Sequence, residues 1–182
     1  MIRALVFDCF GVLYHGSLAH MYELIPVESH TALRDLNHAS DRGFISIAEY
    51  IDGVAELSGQ SPEEIRRIMK ADHIRNQPLL DYLEKFRGQY KTALLSNVGT
   101  DVMSNLFTAE EFKKYFDVIV LSSEVGMVKP FAEIYTYAAA ELHVQPSECV
   151  MIDDLQENID GARAAGMHGI VYHTQPQLAH DL

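Results

Sequence analysis

The sequence has little of the chemistry that marks several classes of protein. Its two cysteines, Cys9 and Cys149, each lie in an apolar run, which argues against a disulfide framework or a zinc site and indicates a reduced, cytoplasmic setting. Basic residues are scarce: 14 Lys and Arg stand against 26 Asp and Glu, and the net charge of −12 argues against a nucleic-acid partner. No apolar run approaches the roughly 20 residues of a membrane span. Asp8 interrupts the first run early, so we also expect no signal peptide.

What the sequence does contain is enough apolar material for a core of ordinary size. The chain has 182 residues, of which 48% are hydrophobic, so we expect a folded domain with a smaller insert rather than disorder. The first apolar run ends in Asp8, which predicts a buried strand with a carboxylate at its carboxyl end, where open α/β sheets bind ligands. Gly11 lets the chain turn sharply while its backbone stays close to Asp8.

Strand and helix patterns alternate in the second half of the chain. Apolar runs predict strands at residues 91–95, 118–121, 149–152 and 168–172, and apolar spacing with capping residues predicts helices at 78–88, 108–115, 130–143 and 156–165. Strands that alternate with helices indicate an α/β fold with a parallel sheet covered on both faces. Right-handed crossovers would then bring the carboxyl ends of all the strands to one edge.

The stretch between the first two strands has a different character. Its patterns predict a connection and a helix over residues 14–38, then helices that start at the capping residues Ser46 and Ser61, and no strand. We therefore expect a helical insert over residues 14–77 and a core made of residues 1–13 and 78–182.

Carboxylates stand where two of the predicted strands end. Asp8 follows the first strand, and Asp153 and Asp154 follow the strand at 149–152. Carboxylate oxygens are the ligands that Mg²⁺ prefers in proteins. Without a cation, three clustered carboxylates would repel one another. The sequence therefore predicts a Mg²⁺ site at this edge of the sheet.

Three further residues complete the predicted site. Ser96 and Asn97 follow the second strand and offer a hydroxyl and backbone donors to anionic oxygens. Lys129 stands at a loop-to-helix junction, where its charge could screen Asp8 and a bound phosphate together. Each of these residues alone is ordinary loop or capping chemistry. Together and in this order they predict phosphoryl transfer to a carboxylate nucleophile.

These segments also resemble the four motifs of the haloacid dehalogenase-like hydrolases. The matching segments, in motif order, are residues 7–13, 95–97, 128–135 and 152–167. The fourth is matched in detail, including Asn158, Ala162 and Arg163. The resemblance covers nearly the whole chain, and the predicted insert matches the small helical cap that one subfamily carries between its first two motifs.

The resemblance implies a Rossmann-like core that holds Mg²⁺. The ligands would be Asp8, the backbone carbonyl of Phe10 and Asp154, with Asp153 acting nearby through water. It also implies a small phosphorylated substrate selected by the cap. Apart from the resemblance, we expect a monomer or a homodimer.

The resemblance further implies a covalent mechanism. Asp8 would attack phosphorus to form an aspartyl-phosphate, which water then hydrolyses. Ser96 and Asn97 would hold the transferring phosphate, and Lys129 would stabilise the charge on Asp8 and on the phosphoryl oxygens.

One position departs from the family's pattern. Phosphatases of the family usually carry a second Asp two residues after the nucleophile, which protonates the leaving group and later activates water. Here that residue is Phe10, which can do neither. General acid–base catalysis contributes about 10²–10⁴-fold, so its loss would slow turnover without abolishing it. His15 or His20, which follow the first motif, would be a plausible replacement acid.

Phe10 leaves two alternative functions open. The first is a metal-independent 2-haloacid dehalogenase, a branch that carries an aromatic residue at this position but generally lacks paired acids such as Asp153 and Asp154. It would need a carboxylate-binding arginine, for which Arg34 and Arg42 are available. The second is a catalytically weak relative that binds a phosphorylated ligand or a protein partner.

Overall fold

A five-stranded parallel sheet forms the centre of the fold in the computed structural model, which describes residues 1–16, 18–99 and 101–182. The strands, in chain order, are β1 (Ala4–Phe7), β2 (Tyr14–His15), β3 (Ile74–Arg75), β4 (Lys91–Ser96), β5 (Val118–Leu121), β6 (Cys149–Asp153) and β7 (His168–Val171). The main sheet has the order β5–β4–β1–β6–β7, and every pairing in it is parallel. The predicted α/β class and Rossmann-like sheet are confirmed.

Helices cover the sheet and fill the segment between its first two strands. In chain order they are α1 (Leu18–Leu24), α2 (His30–Asp41), α3 (Ile47–Ser58), α4 (Pro62–Asp72), α5 (Gln77–Glu84), α6 (Ala109–Tyr115), α7 (Ser122–Val125), α8 (Ala132–Glu141), α9 (Gln156–Ala164) and α10 (Gln175–Asp181). No helix in the described part of the chain is both long and apolar enough to cross a membrane.

Successive residues of the buried strands point to opposite faces of the sheet, so each strand contributes to two cores. On one face, Phe7 and Leu94 pack with Leu80 of α5 and with residues of α6 and α10. On the other face, Val6 and Met151 pack with residues of α8 and α9. Because both faces are covered, the strands read as continuous apolar runs, as parallel strands do.

The helices between β1 and β4 build a third apolar cluster of their own. Met21, Leu33, Val54 and Ile65, one from each of the helices α1 to α4, lie at its centre, and each is almost completely buried. Ser46 caps α3 through the predicted capping box, since its Oγ accepts from Glu49 N (3.2 Å) and its own N–H donates to Glu49 Oε2 (2.7 Å).

The prediction that this segment contains no strand is wrong at its two ends. Tyr14 and His15 pair antiparallel with Arg75 and Ile74, so β2 and β3 form a two-residue ribbon where the chain leaves the sheet and returns to it. Such a short pairing has no periodic signal, because it depends on two residues about 60 positions apart meeting in space.

Other local differences from the sequence-based expectations are small. The predicted single helix within residues 14–38 is two helices, α1 and α2. Helix α8 begins at Ala132 rather than at Pro130, and the short helices α7 and α10 were not predicted. Helix α9 ends at a glycine in the left-handed conformation, since Gly166 has a φ of +92°.

Candidate functional site

The ends of the central strands bring the predicted carboxylates together. Asp8 follows β1, and its N–H donates to Ile152 O of β6 (2.9 Å). Asp153 ends β6, and Asp154 follows it. One carboxylate oxygen from each of the three residues lies within 4.8 Å of the other two. The predicted juxtaposition therefore follows from the parallel register of β1 and β6.

Lys129 completes a buried charge cluster with two of these acids. Its Nζ donates to Asp8 Oδ1 at 2.7 Å and to Asp153 Oδ2 at 2.6 Å. All three side chains are buried, with Asp153 completely inaccessible. Charges removed from water in this way are tolerated because they are paired and hydrogen-bonded.

The Asp153 carboxylate is surrounded by donors from the start of α9. Its Oδ1 accepts from Leu155 N (2.9 Å) and from Asn158 Nδ2 (3.0 Å), while Oδ2 accepts from Lys129. Both oxygens are thus occupied, and Asp153 orients Lys129. Asn158 was not given this role from the sequence. Its position one turn into the helix that follows a strand-ending Asp is the signal that could have indicated it.

Asp154 differs from Asp153 because one of its oxygens is free. Its Oδ1 is buried and has no hydrogen-bond partner in the described part of the chain. Gly11 makes room for this carboxylate: a Cβ atom at Gly11 would lie 2.2 Å from Asp154 Cγ, and the φ of Gly11 is +86°. A buried carboxylate oxygen needs a partner, and this one lies beside two other acids. Oxygen ligands of this kind are the ones that bind hard divalent cations such as Mg²⁺.

Asn97 and Ser96 have different surroundings at the end of β4. The Asn97 amide binds the Lys129 backbone on both sides, since Oδ1 accepts from Lys129 N (2.8 Å) and Nδ2 donates to Lys129 O (3.0 Å). The Asn97 side chain therefore holds the backbone of Lys129 in place and is not free to bind phosphate. The prediction that Asn97 binds phosphate then applies only to its backbone N–H. Ser96 Oγ is buried and has no partner among the described residues, so its hydroxyl is available to a ligand.

The electrostatics of the cluster favour the binding of a cation. Burial raises the pKa of Asp8 to about 7, with Lys129 opposing the shift and Asp153 adding to it. Burial alone would lower the pKa of Lys129, but Asp8 and Asp153 raise it above its ordinary value. Burial, then the charge of Asp153, also raises the pKa of Asp154. A divalent cation would offset these costs and favour the ionised acids.

Phe10 and the two predicted histidines lie around the cluster. The Phe10 ring contacts the His73 ring at the end of α4, with centroids 5.4 Å apart. His15 is exposed on β2, which follows the turn at Gly11 against Asp154. His20 is half-buried on α1.

A family model described as haloacid dehalogenase-like hydrolase matches residues 2–166. The chain belongs to the haloacid dehalogenase-like hydrolases. The resemblance inferred from the four motifs is thereby confirmed over nearly the whole chain.

The relatives of this haloacid dehalogenase-like hydrolase include sugar and polyol phosphatases. Fructose-1-phosphate phosphatase YqaB of Escherichia coli is 29% identical over 63% of this chain and 60% of its own length. D-ribitol-5-phosphate phosphatase of Bacteroides thetaiotaomicron is 34% identical over 48% of this chain and 45% of its own length. The chain thus spans between two fifths and two thirds of these relatives.

A solved structure matches the fold over its full extent. A HAD family enzyme from Bacteroides thetaiotaomicron, crystallised as a magnesium complex, superposes with a TM-score of 0.81 at 25% identity. The match covers 98% of this chain and 97% of that one.

Proposed function

We propose that the protein is a Mg²⁺-dependent phosphatase that cleaves small phosphate esters through an aspartyl-phosphate on Asp8. The observation that carries this proposal is the buried arrangement of Lys129 between Asp8 and Asp153, with free oxygens on Asp154 and Ser96 beside it. A metal ligand, a cation and a hydroxyl donor then surround one carboxylate nucleophile.

The residues present fit a magnesium ion. Asp8, Asp154 and the backbone carbonyl of Phe10 would hold it, and Asp153, whose oxygens are already occupied, would act through water. Bound there, the ion would neutralise charge on the transferring phosphoryl group and orient it. The magnesium complex of the related Bacteroides enzyme supports this cofactor.

The chain's own residues would perform the transfer. Asp8 attacks phosphorus in line with the leaving oxygen, and water later hydrolyses the aspartyl-phosphate. Lys129 stays charged in both steps because Asp8 and Asp153 raise its pKa, so it can stabilise the phosphoryl oxygens. The Ser96 hydroxyl and the Asn97 backbone N–H donate to the same oxygens.

The helical segment would act as the cap that selects the substrate. Residues 14–77 contain a separate apolar cluster and join the sheet through the β2–β3 ribbon, which supports a second structural unit beside the core of residues 1–13 and 78–182. The phosphatase relatives support a small phosphorylated substrate. We also propose a cytoplasmic protein that acts as a monomer or homodimer, without nucleic-acid or membrane partners.

The experiment is a hydrolysis assay with p-nitrophenyl phosphate in Mg²⁺ and in EDTA. Turnover should require Mg²⁺ and disappear in Asp8→Asn, whereas Asp52→Asn, an exposed residue of α3, should keep it. Turnover that survives EDTA or Asp8→Asn would contradict the proposal. If no phosphate ester is cleaved, chloride release from 2-chloropropionate would favour the dehalogenase chemistry that an aromatic Phe10 leaves open, and no reaction on either would favour a binding protein.

A further inference from the structure

The carboxyl-terminal end of α2 lies against the loops that carry the site. Ser40 is buried, and a Cβ atom at Gly99, in the loop after β4, would lie 2.3 Å from Ser40 Oγ. Three residues further along, a Cβ at Gly43 would lie 2.7 Å from the backbone oxygen of Ser123, just after β5. Residues 40–43 are therefore packed onto the carboxyl edge of the sheet, beside Ser96 and Asn97.

Asp41 is a half-buried acid within this contact. Burial raises its pKa to about 6, while the charges of His38, Lys129 and Arg42 oppose the shift. Burial, and after it the charge of Asp41, raises the pKa of Tyr50 on α3 to about 12, and the Tyr50 hydroxyl donates to Asn37 Oδ1 of the same helix as Asp41 (2.9 Å).

The neighbours of Asp41, Ser40 and Gly43, contact the segments after β4 and β5. Asn97 of the β4 loop holds the Lys129 backbone, so Asp41 lies at the same edge of the sheet as the catalytic lysine.

The reaction geometry places the leaving group toward this side of the site. Asp8 approaches phosphorus from the sheet, and the leaving oxygen must lie roughly opposite the attacking one. Residues that cover the carboxyl edge from outside the sheet are therefore the ones that can reach the leaving oxygen, and residues 40–43 pack on that edge through Gly99 and Ser123. Phe10 brings no proton there, and its ring packs on His73 instead.

We propose that Asp41 is the general acid and base of this phosphatase, in the role that Phe10 cannot fill. The inference rests on the proposed function. In the first step the bond from Asp8 to phosphorus forms, the bond from phosphorus to the leaving oxygen breaks, and the Asp41 carboxyl gives its proton to that oxygen. In the second step a water attacks phosphorus, Asp41 takes a proton from it, and Asp8 leaves as a carboxylate with release of hydrogen phosphate.

His15 fits this role less well. His15 lies on the β2–β3 ribbon, which the chain enters through the turn at Gly11. Gly11 packs against the metal ligand Asp154 rather than on the segments after β4 and β5. A general acid works best at physiological pH when its pKa is near neutral. Burial raises the pKa of Asp41 to about 6, which meets this condition.

The test compares Asp41→Asn with wild type on two esters in Mg²⁺. p-Nitrophenyl phosphate has a leaving group that departs without a proton, whereas an alkyl phosphate such as glycerol phosphate needs one. We expect kcat/KM to fall by about 10²–10⁴-fold on the alkyl ester, and by less than about 10-fold on p-nitrophenyl phosphate. The alkaline limb of the wild-type pH profile on the alkyl ester should also disappear. Asp35→Asn, an exposed acid on the same helix, should change neither rate.

The possible outcomes separate the two proposals. If wild type cleaves neither ester in Mg²⁺, the phosphatase proposal itself fails. If wild type is active but Asp41→Asn loses activity equally on both esters, or loses none, Asp41 is not the acid. Thermal unfolding of the variant checks that it is folded. Asp41→Ser, which also lacks the carboxyl group but changes the packing, must give the same ester dependence.

Discussion

Removing the charge of Lys129 should be the most costly single change in the site. The Lys129→Met substitution keeps most of the side-chain volume and removes the ammonium group that contacts both Asp8 and Asp153. Those two carboxylates would then be buried beside each other without a cation. In EDTA no metal ion can replace the charge of the lysine, so the measured change in stability reports only the loss of the ammonium group.

The expected magnitude follows from the burial of the cluster. Breaking a buried ion pair by removing one partner costs about 3–5 kcal/mol of unfolding free energy, because the remaining charge is uncompensated. Lys114 offers a matched control, since its Nζ contacts Glu84 Oε2 at 3.0 Å but both side chains are nearly half exposed. Its substitution by Met should cost less than about 1 kcal/mol.

The assay is urea unfolding of both variants in EDTA at pH 8 and at pH 5. The loss in Lys129→Met should shrink at pH 5, because burial raises the pKa of Asp8 to about 7 and protonation of Asp8 then removes one of the two charges that the lysine pairs. A loss similar to that of Lys114→Met, or one that does not depend on pH, would refute the reasoning that the cluster is a buried and charged triad.

Three further predictions concern neighbouring positions. Gly11→Ala should weaken Mg²⁺ binding measured by calorimetry, because its Cβ would lie 2.2 Å from the Asp154 carboxylate; Gly88→Ala has a similar φ of +87° but open space, and should leave Mg²⁺ affinity unchanged. Ser96→Ala should leave the melting temperature almost unchanged, because its Oγ has no partner in the described residues, yet raise KM for phosphate esters about 10-fold. Asp41→Asn should be more stable than wild type at pH 8 by about 3 kcal/mol but not at pH 4: the raised pKa of Asp41 destabilises the folded state as pH rises from about 4 to 6. If Asp41→Asn and wild type have the same melting temperature at pH 8 as well as at pH 4, the burial of Asp41 does not destabilise the folded state.

Much of the fold could be predicted because its signals are local. The capping residues Ser46 and Thr108 start α3 and α6 as expected, since each side chain accepts from a backbone N–H three residues later. The buried strands were found as apolar runs. Asp8 and Asp153 could be placed together because parallel strands end at one edge of a sheet.

What could not be predicted depends on contacts between distant residues. Nothing in the sequence around Asn97 indicates that its amide would bind the backbone of Lys129, because the two are 32 residues apart. The β2–β3 ribbon and the approach of Asp41 to the site have the same origin. Both depend on how the helical segment packs against the sheet, and no local sequence pattern encodes that packing.

The most direct test of the site is a crystal structure of the protein grown with Mg²⁺ and beryllium trifluoride, a mimic of the phosphoryl group on aspartate. We predict the trifluoride on an Asp8 oxygen, within reach of Lys129 Nζ and Ser96 Oγ, and Mg²⁺ in contact with Asp8 and Asp154. Beryllium trifluoride on another residue, or Mg²⁺ bound away from these two carboxylates, would contradict the assignment of Asp8 as a magnesium-assisted phosphoryl acceptor.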